Sequence, residues 1–222
     1  MEASRPPVIE LLPEQGAPRQ LFVMLHGMGQ TASSMLPMAL VLRHYFPAAA
    51  MLLPEAPHPY DKGPQTRQWF SRAGVDDSNR RERVALVLPD LLELIRREQD
   101  RLKLLPPDTA LIGFSQGAIV ALELCAAHDG LAGRVLAFSG RYARLPDRAP
   151  EFTTLHFFHG QDDRLMPASH SEEAYARLAA LQGDATLDIA AAVGHELHPA
   201  LIDRAVHRLQ TCIPLRTWKR AL

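Results

Sequence analysis

Short runs of nearly continuous apolar residues, each about one strand long, recur along most of this chain with helical-periodic segments between them. The runs are residues 21–25, 48–53, 109–113, 134–138, 154–158 and 186–191. Helical spacing marks residues 33–45, with Ser33 or Ser34 as the cap, then 116–128, 168–181 and 196–211. A strand that is apolar at every position, rather than at alternate ones, is covered on both faces. Strand then helix, repeated, predicts an α/β fold with a mainly parallel sheet and helices on both sides.

The rest of the chain fits around that frame. Residues 8–12 form a short apolar run, read as an edge strand. Residues 54–74 are rich in Pro and Gly, through Pro57, Pro59, Gly63 and Pro64, and are expected to form a long irregular loop. Residues 78–104 read as one long helix in which Pro89 predicts a kink or interruption. No internal repeat or composition shift divides the chain, so a single domain over residues 1–222 is expected.

Charge and cysteine content exclude several classes of function. Lys plus Arg number 24 against 25 Asp plus Glu, which leaves a net charge of −1 and nothing to attract nucleic acid or an anionic membrane. Two cysteines, Cys125 and Cys212, do not make a disulfide framework. No apolar run reaches the roughly 20 residues a membrane span needs, and residues 1–14 hold no signal-peptide core. These features predict a soluble, cytoplasmic protein.

Gly113-Phe114-Ser115-Gln116-Gly117 stands between the strand-like residues 109–113 and the helical residues 116–128. A G-x-S-x-G turn in that setting forces its serine into a strained backbone conformation and lifts the hydroxyl above the sheet. Glycines are required where a Cβ would strike neighbouring backbone, and the helix N-terminus favours developing negative charge. Ser115 is therefore the expected nucleophile. Its base should follow an acid in the chain order Ser, Asp or Glu, His. His195 ends the loop after the strand at 186–191, with His198 as its nearest competitor. Two adjacent acids, Asp162 and Asp163, follow the strand at 154–158, and spacing alone does not choose between them. An oxyanion hole would use the backbone N–H of Gln116, directly after the nucleophile. It would add one from His26-Gly27-Met28-Gly29, with Met28 the best placed. No Cys or acidic cluster near His195 and His198 has metal-ligand spacing, so no metal is expected. The chemistry needs no organic cofactor either.

Taken together, these segments resemble the phospholipase/carboxylesterase family, which includes acyl-protein thioesterases and small bacterial esterases. The resemblance rests on L-H-G-M-G at 25–29, R-Q-W-F at 67–70, G-F-S-Q-G-A at 113–118, F-S-G at 138–140, H-G-Q-D-D-R-L-M-P at 159–167 and G-H-E at 194–196. The small bacterial esterases are the nearest likeness, through R-Q-W-F-S and F-S-G-R-Y. The resemblance implies an α/β-hydrolase fold without a large cap domain and selects Asp163 as the acid. It places Trp69 beside the cleft, where the alternative role is to anchor the 54–74 loop. Trp69 and His26 are the expected substrate contacts. Homodimers occur in the family, so pairing is a further expectation. Gln30 and Ser71 stand where many members carry Asp, which weakens any transfer of substrate preference.

The expected activity is hydrolysis of acyl esters or acyl thioesters through an acyl-enzyme, rising with pH as His195 loses its proton. Lysophospholipase or peptidase activity would use the same residues. A non-catalytic binding protein on the same scaffold is the alternative of a different class.

Overall fold

A computed structural model describes residues 7–76 and 78–214. Strand β1 (Val8–Leu11) leads into β2 (Gln20–Leu25), a 3-10 turn at Ala32–Met35 and helix α1 (Leu36–Tyr45). Strand β3 (Ala49–Pro54) follows, then a hairpin of β4 (His58–Tyr60) and β5 (Gly63–Gln68). Helices α2 (Arg80–Ala85) and α3 (Leu88–Leu102) precede β6 (Thr109–Phe114) and α4 (Gln116–Ala127). The chain closes with β7 (Arg134–Phe138), β8 (Thr154–Gly160), α5 (Ser169–Ala180), β9 (Ala185–Ala190) and α6 (Pro199–Thr211).

Seven strands form one sheet in the order β1-β3-β2-β6-β7-β8-β9. Only β1 is antiparallel to its neighbour, with Val8 opposite Pro54. Every other pairing in that sheet is parallel. The continuous apolar runs now have their cause. Leu21, Val23 and Leu25 of β2 enter a core with α2, α3, α4 and α5, whereas Phe22 and Met24 enter a second core with α1 and α6. Each face needs its own apolar set, and a strand serving both has no polar positions left. Together these features make an α/β-hydrolase architecture with no large cap over the strand ends.

Several expected boundaries shift. Residues 54–74 hold an ordered hairpin rather than an irregular loop. Its pairing sets His58 opposite Gln68 and Pro59 opposite Arg67, and Gln30 bridges to Arg67. Proline tolerates this two-stranded ribbon because it stands where no ladder N–H is demanded. The long helix expected over 78–104 is two helices. The break falls at Leu86 and Val87, and Pro89 lies in the first turn of α3, where an N–H would have no helical acceptor. Neither Ser33 nor Ser34 caps a helix. Ser34 Oγ instead donates to Thr31 O at 2.7 Å, and α1 starts later, with a proline in its first turn. His198 stands just before α6 as its N-cap, and its Nδ1 accepts the Ala200 N–H at 3.2 Å.

Asp188 ties α6 to β9. Its carboxylate accepts from Arg204 Nε at 3.0 Å and from Arg208 Nε at 2.9 Å. Burial pushes this carboxyl up, but the two guanidiniums outweigh it and hold the pKa below its ordinary value. The clamp steadies the strand whose following loop carries His195.

Candidate active site

The 26–29 loop, Ser115, Asp163 and His195 follow the carboxyl ends of the parallel strands β2, β6, β8 and β9, where open α/β sheets form their crevices, whereas the 67–70 segment ends the antiparallel β4–β5 ribbon. Ser115 joins β6 to α4 with φ 55° and ψ −116°. A side chain pays for such a left-handed backbone, and the neighbouring glycines show what enforces it. A Cβ on Gly117 would lie 2.1 Å from Leu25 O, and one on Gly113 would lie 2.5 Å from Ala118 N. The elbow is also strapped to β7 through Ser115 N–H to Phe138 O at 2.9 Å.

His195 faces this serine from the loop after β9. Ser115 Oγ lies 2.9 Å from His195 Nε2, and His195 Nδ1 lies 2.6 Å from Asp163 Oδ2. The ionised acid can only accept, so Nδ1 carries the proton and Nε2 is left to accept from the hydroxyl. The imidazole rests against Phe114, ring centres 5.0 Å apart.

Of the two adjacent acids, Asp162 is exposed and Asp163 is buried. Asp163 Oδ1 takes N–H groups from Leu165 at 2.9 Å and Met166 at 2.8 Å. Burial alone would raise its pKa. The Met166 N–H, His195 and the Leu165 N–H overcome that and hold the carboxyl below its ordinary value, so it is ionised. The loops bearing Asp163 and His195 are fastened together by Asp162 N–H to Val193 O at 2.9 Å. Gly160 permits that contact, since a Cβ there would lie 2.3 Å from Val193 O.

The sequence named His159 only as the start of a motif. It is buried against Asp163. Its Nε2 lies 2.6 Å from Met166 O and 3.3 Å from Asp163 Oδ2, and its Nδ1 lies 2.7 Å from Ser171 Oγ. Burial leads the causes that lower its pKa, so the ring is neutral. Its place at the end of a buried strand, four residues before the acid, was the available signal.

Gln116 is held as firmly as the serine before it. Its Oε1 accepts Trp69 N–H at 2.7 Å, and its Nε2 donates to Phe70 O at 2.7 Å. Trp69 is 2% exposed, and its indole Nε1 donates to His26 O at 2.8 Å. It anchors the 67–70 segment to the elbow. His26, expected to meet substrate, has no exposed surface. Its Nδ1 donates to Gly27 O at 2.8 Å and its Nε2 accepts Ala56 N–H at 3.1 Å. Burial lowers its pKa against the pull of Glu55. A side chain with both nitrogens occupied inside the protein has nothing to offer a ligand.

Comparison with known proteins points the same way. Residues 8–213 match the family model described as phospholipase/carboxylesterase. Esterase YpfH of Escherichia coli strain K12 is 37% identical over 204 residues, covering 92% of this chain and 88% of the relative. Among solved structures, esterase PE8 superposes with a TM-score of 0.84 at 28% identity, over 93% of this chain and 97% of that one. The Bacillus cereus carboxylesterase shares the fold, with a TM-score of 0.78 at 18% identity over 93% of this chain and 94% of that one. A family match spanning nearly the whole described chain and an esterase relative this similar lead to one conclusion: the chain belongs to the phospholipase/carboxylesterase family of α/β hydrolases and is a carboxylic ester hydrolase.

Proposed function

We propose that the chain hydrolyses acyl esters and acyl thioesters through a Ser115-His195-Asp163 triad and a covalent acyl-enzyme. The observation that carries this is the continuous relay of 2.9 Å from Ser115 to His195 and 2.6 Å from His195 to Asp163. His195 Nε2 takes the hydroxyl proton as Ser115 Oγ bonds to the substrate carbonyl carbon. Asp163 holds the Nδ1–H tautomer and stabilises the imidazolium. The carbonyl oxygen becomes an oxyanion received by the N–H groups of Gln116 and Met28, neither of which has an acceptor among the described residues. Collapse of the tetrahedral adduct breaks the bond to the alcohol or thiol, which leaves with the proton from His195. A water then gives its proton to His195 and its oxygen to the acyl carbon, and Ser115 recovers its hydrogen as the acid departs.

Trp69 and His26 act in this scheme by positioning the oxyanion loop and the elbow. No side chain in the scheme needs a metal or organic cofactor, and the open strand ends suit small or accessible acyl groups. One continuous sheet supports a single-domain reading. A cytoplasmic location fits the lack, among the described residues, of any helix long and apolar enough to cross a membrane. Pairing of two copies is part of the same proposal, and sedimentation of the purified chain measures it.

Ser115→Ala is expected to abolish hydrolysis of p-nitrophenyl acetate and of acyl-thiol substrates while leaving the circular dichroism spectrum unchanged. It should also lose labelling by a fluorophosphonate probe. Turnover surviving in that variant would overturn the assignment.

A further inference from the structure

The loop from Gly27 to Gln30 spends its backbone N–H groups selectively. Gly27 N–H donates to Gln30 Oε1 at 2.9 Å, Gly29 N–H to Arg67 O at 2.8 Å, and Gln30 N–H to Gly27 O at 3.3 Å. Only Met28 N–H has no acceptor among the described residues. In a trans peptide the carbonyl and the following N–H point in opposite directions. Gly27 O is gripped by His26 Nδ1 at 2.8 Å as well as by Gln30 N–H, and that grip aims the Met28 N–H the other way. The loop sits beside the elbow, because a Cβ on Gly117 would lie 2.7 Å from His26 O.

Gln30 holds this arrangement from two sides. Its side-chain Oε1 accepts the Gly27 N–H at 2.9 Å and so secures that peptide. Its own carbonyl accepts Arg67 N–H at 2.8 Å, which binds the loop to the hairpin. Arg67 is fixed in turn, its Nε donating to Ala56 O at 2.9 Å and its Nη2 to Pro57 O at 2.6 Å. The acceptor is neutral. A carboxylate could hold the same N–H only by adding negative charge near the place where the oxyanion forms.

We propose that Gln30 is a positioning residue for the esterase reaction: its amide oxygen fixes the Gly27–Met28 peptide so that the single free N–H meets the oxyanion. This rests on the reading of Met28 N–H as an oxyanion donor. Misalignment of such a donor weakens the transition state more than the bound substrate, and an inhibitor forming a tetrahedral adduct reports the same loss.

The test uses the full chain with Gln30→Met, which keeps the length of the side chain and removes the acceptor, and Gln30→Glu, which retains it. With p-nitrophenyl acetate, Gln30→Met should lower kcat about tenfold and leave KM within about twofold. Its affinity for an alkyl trifluoromethyl ketone should fall by about the same factor, with the melting temperature near that of the parent. Gln30→Glu should recover part of the loss. Parent-like kcat and ketone affinity in Gln30→Met would overturn the inference. So would a lowered kcat with unchanged ketone affinity and a lowered melting temperature, which marks a packing role, or a Gln30→Glu variant no better than Gln30→Met. Ser115→Ala measured alongside separates the failures. Turnover in it removes the nucleophile assignment itself, whereas an inactive Ser115→Ala beside a parent-like Gln30→Met removes only the role of Gln30.

Discussion

At the scale of single residues, Asp163 shows how a buried carboxylate stays charged. Its side chain is fully enclosed, yet one oxygen takes two backbone N–H groups and the other faces His195. Asp163→Asn keeps the volume but presents an amide that can hold the imidazole in the wrong tautomer. We expect kcat to fall by roughly 10³ to 10⁴ with little change in KM, read by steady-state ester hydrolysis. A loss below about tenfold would argue that His195 is oriented by something else. The expectations for Ser115 and His195 came from a strand-to-helix turn and from chain order, both written along the sequence, whereas the preference for Asp163 over Asp162 came only through the family resemblance. The enclosure of His26 and the burial of His159 against Asp163 were not legible there. Both depend on contacts between segments far apart in the chain, such as His26 with Ala56 and His159 with Ser171.

Among the elements, the elbow depends on how closely β2, β6 and α4 approach one another. Gly117→Ala would force a methyl group to within 2.1 Å of Leu25 O, and backbone has no rotamer with which to yield. A loss of about 3 kcal/mol or more in urea unfolding is expected. Gly16→Ala is the contrast. Gly16 has φ 74° with nothing within 4 Å of an added Cβ, so only backbone strain of about 1 kcal/mol applies. Equal costs at the two sites would sink the close-approach explanation. The inner strands β2, β3, β6 and β7 were readable from their nearly continuous apolar runs, which burial on two faces imposes. The β4–β5 hairpin was not, because its residues are largely polar or exposed and its prolines read as breakers. Its order comes from Arg67 and Gln68. Gln68 Nε2 reaches Pro59 O at 2.9 Å and Asp61 Oδ1 at 2.7 Å, and those partners are visible only once the ribbon is folded.

For the whole molecule, buried histidines set the response to acid. His156 is fully buried, and burial, assisted by Arg134 and Arg208, lowers its pKa from the ordinary 6.5 to about 3. Between those values the unfolded chain binds a proton that the folded chain refuses. The contribution is therefore fully present above about pH 6.5 and is lost progressively as pH falls toward 3. At pH 5 the loss is about 2 kcal/mol from this residue. His26 and His159 shift in the same direction. Asp163, held below its ordinary value, adds a loss of the same sign at more acid pH. Urea midpoints should fall from pH 8 to pH 5, and less steeply in His156→Gln; identical slopes would remove His156 from this account. Ser115 brings a separate consequence at this scale. Its left-handed backbone is imposed jointly by β2, α4 and β7, so an unfolded or half-assembled chain carries an ordinary, sluggish serine alcohol. If Ser115 is the nucleophile proposed above, covalent tagging by a fluorophosphonate would be a census of correctly folded copies, taken in a crude extract without purification.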